Sequence, residues 1–215
     1  MATTSPASTP DNLMTDAVLG ALAGVAAVWA LDRIDWLMFN REDPQVRHRT
    51  QQARPCGAAP AQVAANKAAH AMGKQLEDPQ DSAAGTAAHY SIGVAPAVMY
   101  GMLHDHVPLI GKGRGALFGL GLFLLQDEAM NRMLGLSARA SAYPWQAHAR
   151  GLIAHLVYGF ALDASLKAIK GGMHSTAHSP QHAMPVSTDN QEREVAPPAP
   201  AVQPRAAGTS TEAFR

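Results

Sequence analysis

Residues 82–103, SAAGTAAHYSIGVAPAVMYGML, run for twenty-two positions without a formal charge. A helix needs about 20 predominantly apolar residues to cross the hydrocarbon core of a bilayer, so this stretch predicts a membrane-spanning helix. Pro96 kinks such a helix without ending it, provided neighbouring groups take over the carbonyl it leaves free.

Working outward, three more segments share this character. Residues 17–31, AVLGALAGVAAVWAL, are uncharged, and apolar character persists past Asp32, Arg33 and Asp35 to Phe39, which predicts a span over 15–38. Residues 115–126 are uncharged and continue beyond Asp127, Glu128 and Asn131, predicting a span over 115–135. A fourth span is expected over 147–169, around the uncharged centre 151–162. Between the first two spans, residues 40–60 carry Arg41, Arg47, Arg49 and Arg54 with Pro44, Pro55 and Pro60 and read as a solvated basic loop. Residues 61–76 are alanine-rich but charged at Lys67 and Lys74, which predicts a surface or interfacial helix. Residues 1–13 read as a flexible lead, with no cleavable signal peptide because the first dozen lack both Lys or Arg and an uninterrupted apolar core. Residues 171–215 are polar, without apolar periodicity, and are expected to stay disordered. The expected fold is all-α: a four-helix transmembrane bundle over 14–170 with one extra interfacial helix and disordered termini.

Composition agrees with a membrane domain. Charged residues make up 16% of the chain, below the roughly 25% usual for soluble domains. Lys plus Arg and Asp plus Glu balance at 17 each, and no stretch interleaves basic and aromatic residues, so no nucleic-acid partner is expected. Cys56 stands alone, which excludes an intrachain disulfide framework and any multi-cysteine metal site. Small residues recur at four-residue spacing, as at Gly20 and Gly24, Gly93, Ala97 and Gly101, and Gly115 and Gly119, a pattern that lets helices approach closely in lipid. A soluble bundle has core helices of similar length; what favours lipid is that the segments are apolar all round rather than striped.

The four spans, laid antiparallel, bring their ionisable residues to one half of the bundle, here termed side A. At about 1.5 Å per residue, Asp32, His89, Asp127, Glu128 and His155 lie about 8–12 Å deep. Asp35 and His148 lie nearer the surface. His148 and His155 are seven residues apart and share a helix face, and Glu128 with Arg132 is spaced for a salt bridge. Ionisable groups at such depth are costly unless paired or wetted, which makes them a functional hypothesis by default. The eight basic residues Arg41, Arg47, Arg49, Arg54, Lys67, Lys74, Arg132 and Arg139 in side A loops assign that side to the cytoplasm by the positive-inside bias.

Part of the chain resembles the YagU-like family of bacterial inner-membrane proteins. The resemblance rests on His89-Tyr90-Ser91-Ile92 with Ala97 and Tyr100-Gly101, on Met133-Leu134-Gly135-Leu136, on Pro144-Trp145, and on Ala154-His155-Leu156-Val157-Tyr158. It covers about residues 84–165, with Ala154 where the family pattern has Gly and with no counterpart for 40–83. It implies a multi-span protein of the bacterial inner membrane with histidines in its second and fourth helices, and carries no activity with it.

Three readings stay open. The polar layer is structural or handles protons; it lines a path for protons or a cation in a transport component, which would call for a homo-oligomer; or His89 and His155 ligate a haem or metal ion in a redox protein. The lipid bilayer is the expected partner and no cofactor the leading expectation. No nucleophile–base pair, phosphate loop or HExxH motif is present, so an enzyme is not expected.

Overall fold

The computed structural model describes residues 10–78 and 81–177, all helix, turn and loop, with no strand among them. Among the described residues, six α-helices of seven or more residues organise the fold. Helix α1 spans Pro10–Arg41, so it starts inside the expected flexible lead; the rest of that lead lies outside the described residues. The expected basic loop 40–60 holds a further helix, α2 (Pro44–Ala53). Its start was encoded: the Asp43 side chain accepts the Gln45 N–H at 2.7 Å, and Pro44 occupies the first turn, where a missing N–H costs nothing. A 3₁₀ turn, Pro55–Gly57, leads to α3 (Pro60–Ala71). This helix is shorter than the predicted 61–76, because Gly73 takes a left-handed conformation at φ +70° and the Lys74 N–H bonds back to Ala69 O.

Helix α4 (Ala83–Leu103) begins where Ser82 Oγ accepts the Gly85 N–H, and it runs through Pro96 unbroken. The third apolar segment is more unusual. Helix α5 (Ala116–Leu122) passes into a π-helix over Phe123–Met130 and closes as α6 (Asn131–Met133), a continuous rod with one wide section. Helix α7 covers Trp145–Ala177 and so carries on through 171–177, part of the expected disordered tail. Extending a formed helix is far cheaper than nucleating one, and Lys170, near this end, is tied by Asp16 at 2.9 Å and Asp105 at 2.7 Å. The remainder of the tail lies outside the described residues.

Helix α1 packs along both α4 and α7; α5 packs on α7, and α3 on α4. Ala23, Ala27, Val28, Ala97, Tyr100, Tyr158, Leu162 and Leu166 form the core between them. Two crossings are exceptionally close. A Cβ on Gly20 would come within 2.6 Å of Ala97 O, and one on Gly115 within 2.1 Å of Gly159 O. Both lie in the half opposite side A, termed side B, and equally close approaches continue toward side A, where a Cβ on Gly119 would come within 2.2 Å of His155 O. Lys67 on α3 donates to Leu134 O at 2.8 Å and Gly135 O at 3.0 Å, capping the carbonyl end of α6.

Two helices are long and apolar enough to cross a membrane by length and composition, over Asn12–Arg41 and Trp145–Met173. The outward faces of the rods are strongly apolar: Val18, Leu22, Val25 and Trp29 on α1, Ile92 and Met99 on α4, Leu117 and Leu120 on α5, Leu124 and Leu125 beyond it, and Ile153 and Phe160 on α7 are all exposed.

Candidate functional site

A partly open cavity of about 290 Å³ lies between α4, the π-helix and α7, reached also by Asp35 of α1 and by Arg54. His89, Asp127, Glu128, His148 and His155 all line it. Asp32 does not, but it accepts from His89 Nε2 at 2.8 Å and so orients that ring. The ionisable residues expected at side A are thus paired across helices around one space.

Each pairing has its own character. His148 places Nδ1 2.5 Å from Glu128 Oε1 and Nε2 3.1 Å from Ala140 O. Carboxylate and carbonyl oxygens only accept, so the His148 ring is held between two acceptors. Glu128 also accepts from Arg132 at 3.2 Å, the salt bridge its spacing predicts. Asp127 accepts from Asn131 Nδ2 at 3.2 Å and stands 3.7 Å from His155 Nδ1, which donates to Gly151 O at 2.9 Å. Gly151 leaves the room for this approach: a Cβ there would lie 3.2 Å from Asp127 Oδ2.

The π-helix presents both acids. Its hallmark is the Asn131 N–H bonding to Gln126 O, five residues back, and widened turns are frequent at functional positions. On the facing wall, Pro96 has no N–H to offer Ile92 O, and one residue along Tyr158 Oη donates to Gly93 O at 2.6 Å.

Sequence reasoning missed the cations. Arg150 is only 4% exposed; its Nε donates to Asp35 at 2.7 Å, its Nη1 to Glu42, and its guanidinium lies over the Phe39 ring, 4.9 Å from the centroid. Nothing near it in the chain marks it as buried, since its partners are more than a hundred positions away. Arg54 also lines the cavity. Burial, and then the nearby Arg150 charge, hold its pKa below the ordinary arginine value, although such a group stays protonated at any physiological pH. Glu42 keeps one buried carboxylate oxygen, Oε2, without a hydrogen-bond partner among the described residues.

Side B holds a second network, centred on Asp163. That residue is 2% exposed and accepts from Tyr100 Oη at 2.8 Å, Lys167 Nζ at 2.8 Å and His104 Nε2 at 3.3 Å.

No group of three or more His, Cys, Asp or Glu side chains is arranged to hold a metal ion among the described residues. Haem ligation by His89 through Nε2 would have to displace Asp32 from that nitrogen. Compared with known proteins, the chain matches no family model, no curated protein and no solved structure.

Proposed function

We propose that this chain is a multi-pass integral membrane protein in which α1, α4, the α5–α6 rod and α7 cross the bilayer as a four-helix bundle, and in which the His/carboxylate layer takes up and releases protons at the side A cavity. The resemblance noted above points to a bacterial inner membrane. Exposed apolar side chains on the outward faces of all four rods support the membrane part, because soluble monomers rarely expose contiguous apolar surface on this scale.

One observation carries the proton-handling part. Histidine–carboxylate pairs drawn from different helices, His89–Asp32, His148–Glu128 and His155–Asp127, meet around a single part-open cavity. Histidine is the side chain whose ordinary titration falls nearest neutrality, and hydrogen-bonded chains of such groups relay protons. A transport component built on the same layer is the second reading, favoured by the cavity's depth into the bundle from Arg54 to Tyr158.

Two measurements test this. Carbonate-washed membranes should retain the protein, and recovery in the soluble fraction overturns the membrane reading. In proteoliposomes with an entrapped pH dye, His155→Ala and Asp127→Asn should reduce proton uptake after a pH step to the level of empty liposomes, at unchanged abundance. Variants that lose abundance while the surviving protein takes up protons normally would assign the layer a packing role instead.

A further inference from the structure

Helix α1 packs against α4 and α7, and the stripe it leaves uncovered carries Leu22, Val25, Trp29, Arg33, Trp36 and Asn40, all exposed. Successive members are three or four positions apart, so they share one outward face. Four ionisable residues lie between positions 12 and 38 of this helix. Three of them turn inward to partners: Asp16 to Lys170 at 2.9 Å, Asp32 to His89 at 2.8 Å and Asp35 to Arg150 at 2.7 Å. Arg33 is the one that faces outward.

The positions one turn away from Arg33 on either side, Trp29, Ala30, Trp36 and Leu37, offer it no carboxylate. Its guanidinium lies instead over the Trp29 ring, 6.0 Å from the centroid. Side chains on a helix lean toward its N-terminus, which on α1 is the side B end. This charge is therefore drawn back along the apolar stripe rather than out to the water of side A, and an anion has to come to it. Below it the stripe continues as hydrocarbon, through Val25 and Leu22.

We propose that this stripe binds one phospholipid of net negative charge in the side A leaflet, its phosphate on Arg33 between the two indoles and an acyl chain along Val25 and Leu22. The proposal rests on the membrane reading of α1 and not on proton movement by the histidines. Charge complementarity selects the occupant. A guanidinium pairs with two phosphate oxygens at once, and indole rings favour the layer between head groups and chains. A choline-type head would bring an ammonium that meets no carboxylate on this face. A second copy docked in parallel through the same stripe would set Arg33 against Arg33, a like-charge contact.

The chain has three tryptophans, Trp29, Trp36 and Trp145, so the full chain carrying Trp145→Phe reports on this stripe alone. In phosphatidylcholine bilayers, quenching of its fluorescence by a phosphatidylglycerol brominated high on one acyl chain is compared with quenching by the equally brominated phosphatidylcholine. The measurement is made in about 1 M salt, where the Debye length is about 3 Å and diffuse attraction is screened. Relative affinity should favour phosphatidylglycerol about fivefold, the preference one arginine confers at a charged membrane surface. Arg33→Gln should bring the two lipids to equal affinity and Arg33→Lys should keep part of the difference, while Arg41→Gln and Arg49→Gln, exposed elsewhere on side A, should leave it unchanged. Equal affinities with Arg33 intact overturn the proposal, and that comparison stands even where Arg33→Gln does not fold. A preference that follows Arg41 or Arg49 instead of Arg33 overturns it too. Loss of the preference in millimolar glycerol phosphate would assign Arg33 to a soluble anion and overturn the lipid. Indoles that neither lipid quenches, in protein that carbonate leaves in the membrane, would put another protein surface on the stripe and sink this proposal while the membrane reading stands. Protein released by carbonate would sink both.

Discussion

Asp163 and Asp127 lie at opposite ends of the same bundle, and their surroundings could hardly differ more. Three donors from α4, the turn that follows it and α7 close on Asp163, next to helices drawn together at Gly20 and Gly115. Asp127 faces a cavity, with an amide and a more distant imidazole for company. Both ends bury ionisable groups, yet one saturates them and the other leaves room around them. A saturated carboxylate is a fastening, because any change of charge breaks several bonds at once. A carboxylate with one neutral donor and free space beside it can gain or lose a proton at small structural cost.

The contrast can be broken most severely at its source. Gly20→Leu forces a side chain onto the α4 backbone, where neither Ala97 O nor Gly101 can move aside, and should cost about 3 kcal/mol or more, seen as loss of folded protein in detergent. Next in size, Asp163→Asn removes the charge on which Tyr100, His104 and Lys167 converge and should destabilise by about 3 kcal/mol, measured by denaturant titration in mixed micelles. Asp127→Asn, the matching change at side A, should cost no more than about 1 kcal/mol in the same assay. Equal effects of these two substitutions would erase the distinction between fastening and working group. The smallest effect concerns Asp105, in the turn after α4, whose carboxyl is held below the ordinary carboxylate value first by the hydrogen bond from Lys170 and then by that from His104. A depressed folded-state pKa contributes stability that is present above the ordinary carboxylate range and lost as pH falls through the lowered value. With Asp105 55% exposed, solvent screening leaves about 0.5 kcal/mol at most. Asp105→Asn should lower stability by that amount at neutral pH, leave it unchanged at pH values where the carboxyl is already protonated, and so flatten the acid limb of the stability profile.

How much of this was legible in the sequence divides along the same lines. The helical segments, the small-residue spacing and the Glu128–Arg132 pair are local features, written within a few turns of chain. Helix α2 was legible too, through Asp43 and Pro44, but four arginines and three prolines drew the reading toward a loop. Arg150 and Asp163 were not legible as buried hubs, because all their partners but Lys167 are 108, 115, 63 and 59 positions away and depend on how α1, α4 and α7 meet. Arg54 was visible only as one more basic residue. Its place beside Arg150, Asp35 and Glu42 depends on long-range packing, which no single position reveals. The widened turn at Phe123–Met130 was hidden by the assumption of a uniform 3.6-residue period.

That widened turn has a consequence for lineage. Wide helices of this kind amount to one residue more than an ordinary helix needs to cover the same climb, and they persist where the surplus does something useful. Here the surplus aims two acids at an interior space, and shortening the stretch by one residue would swing everything beyond it around the axis by about 100°, the angular step of a 3.6-fold helix. Related chains that have lost the Asp127–Glu128 dipeptide are therefore expected to be one residue shorter between the positions of Phe123 and Met130, the insertion and the acids having been gained or given up together.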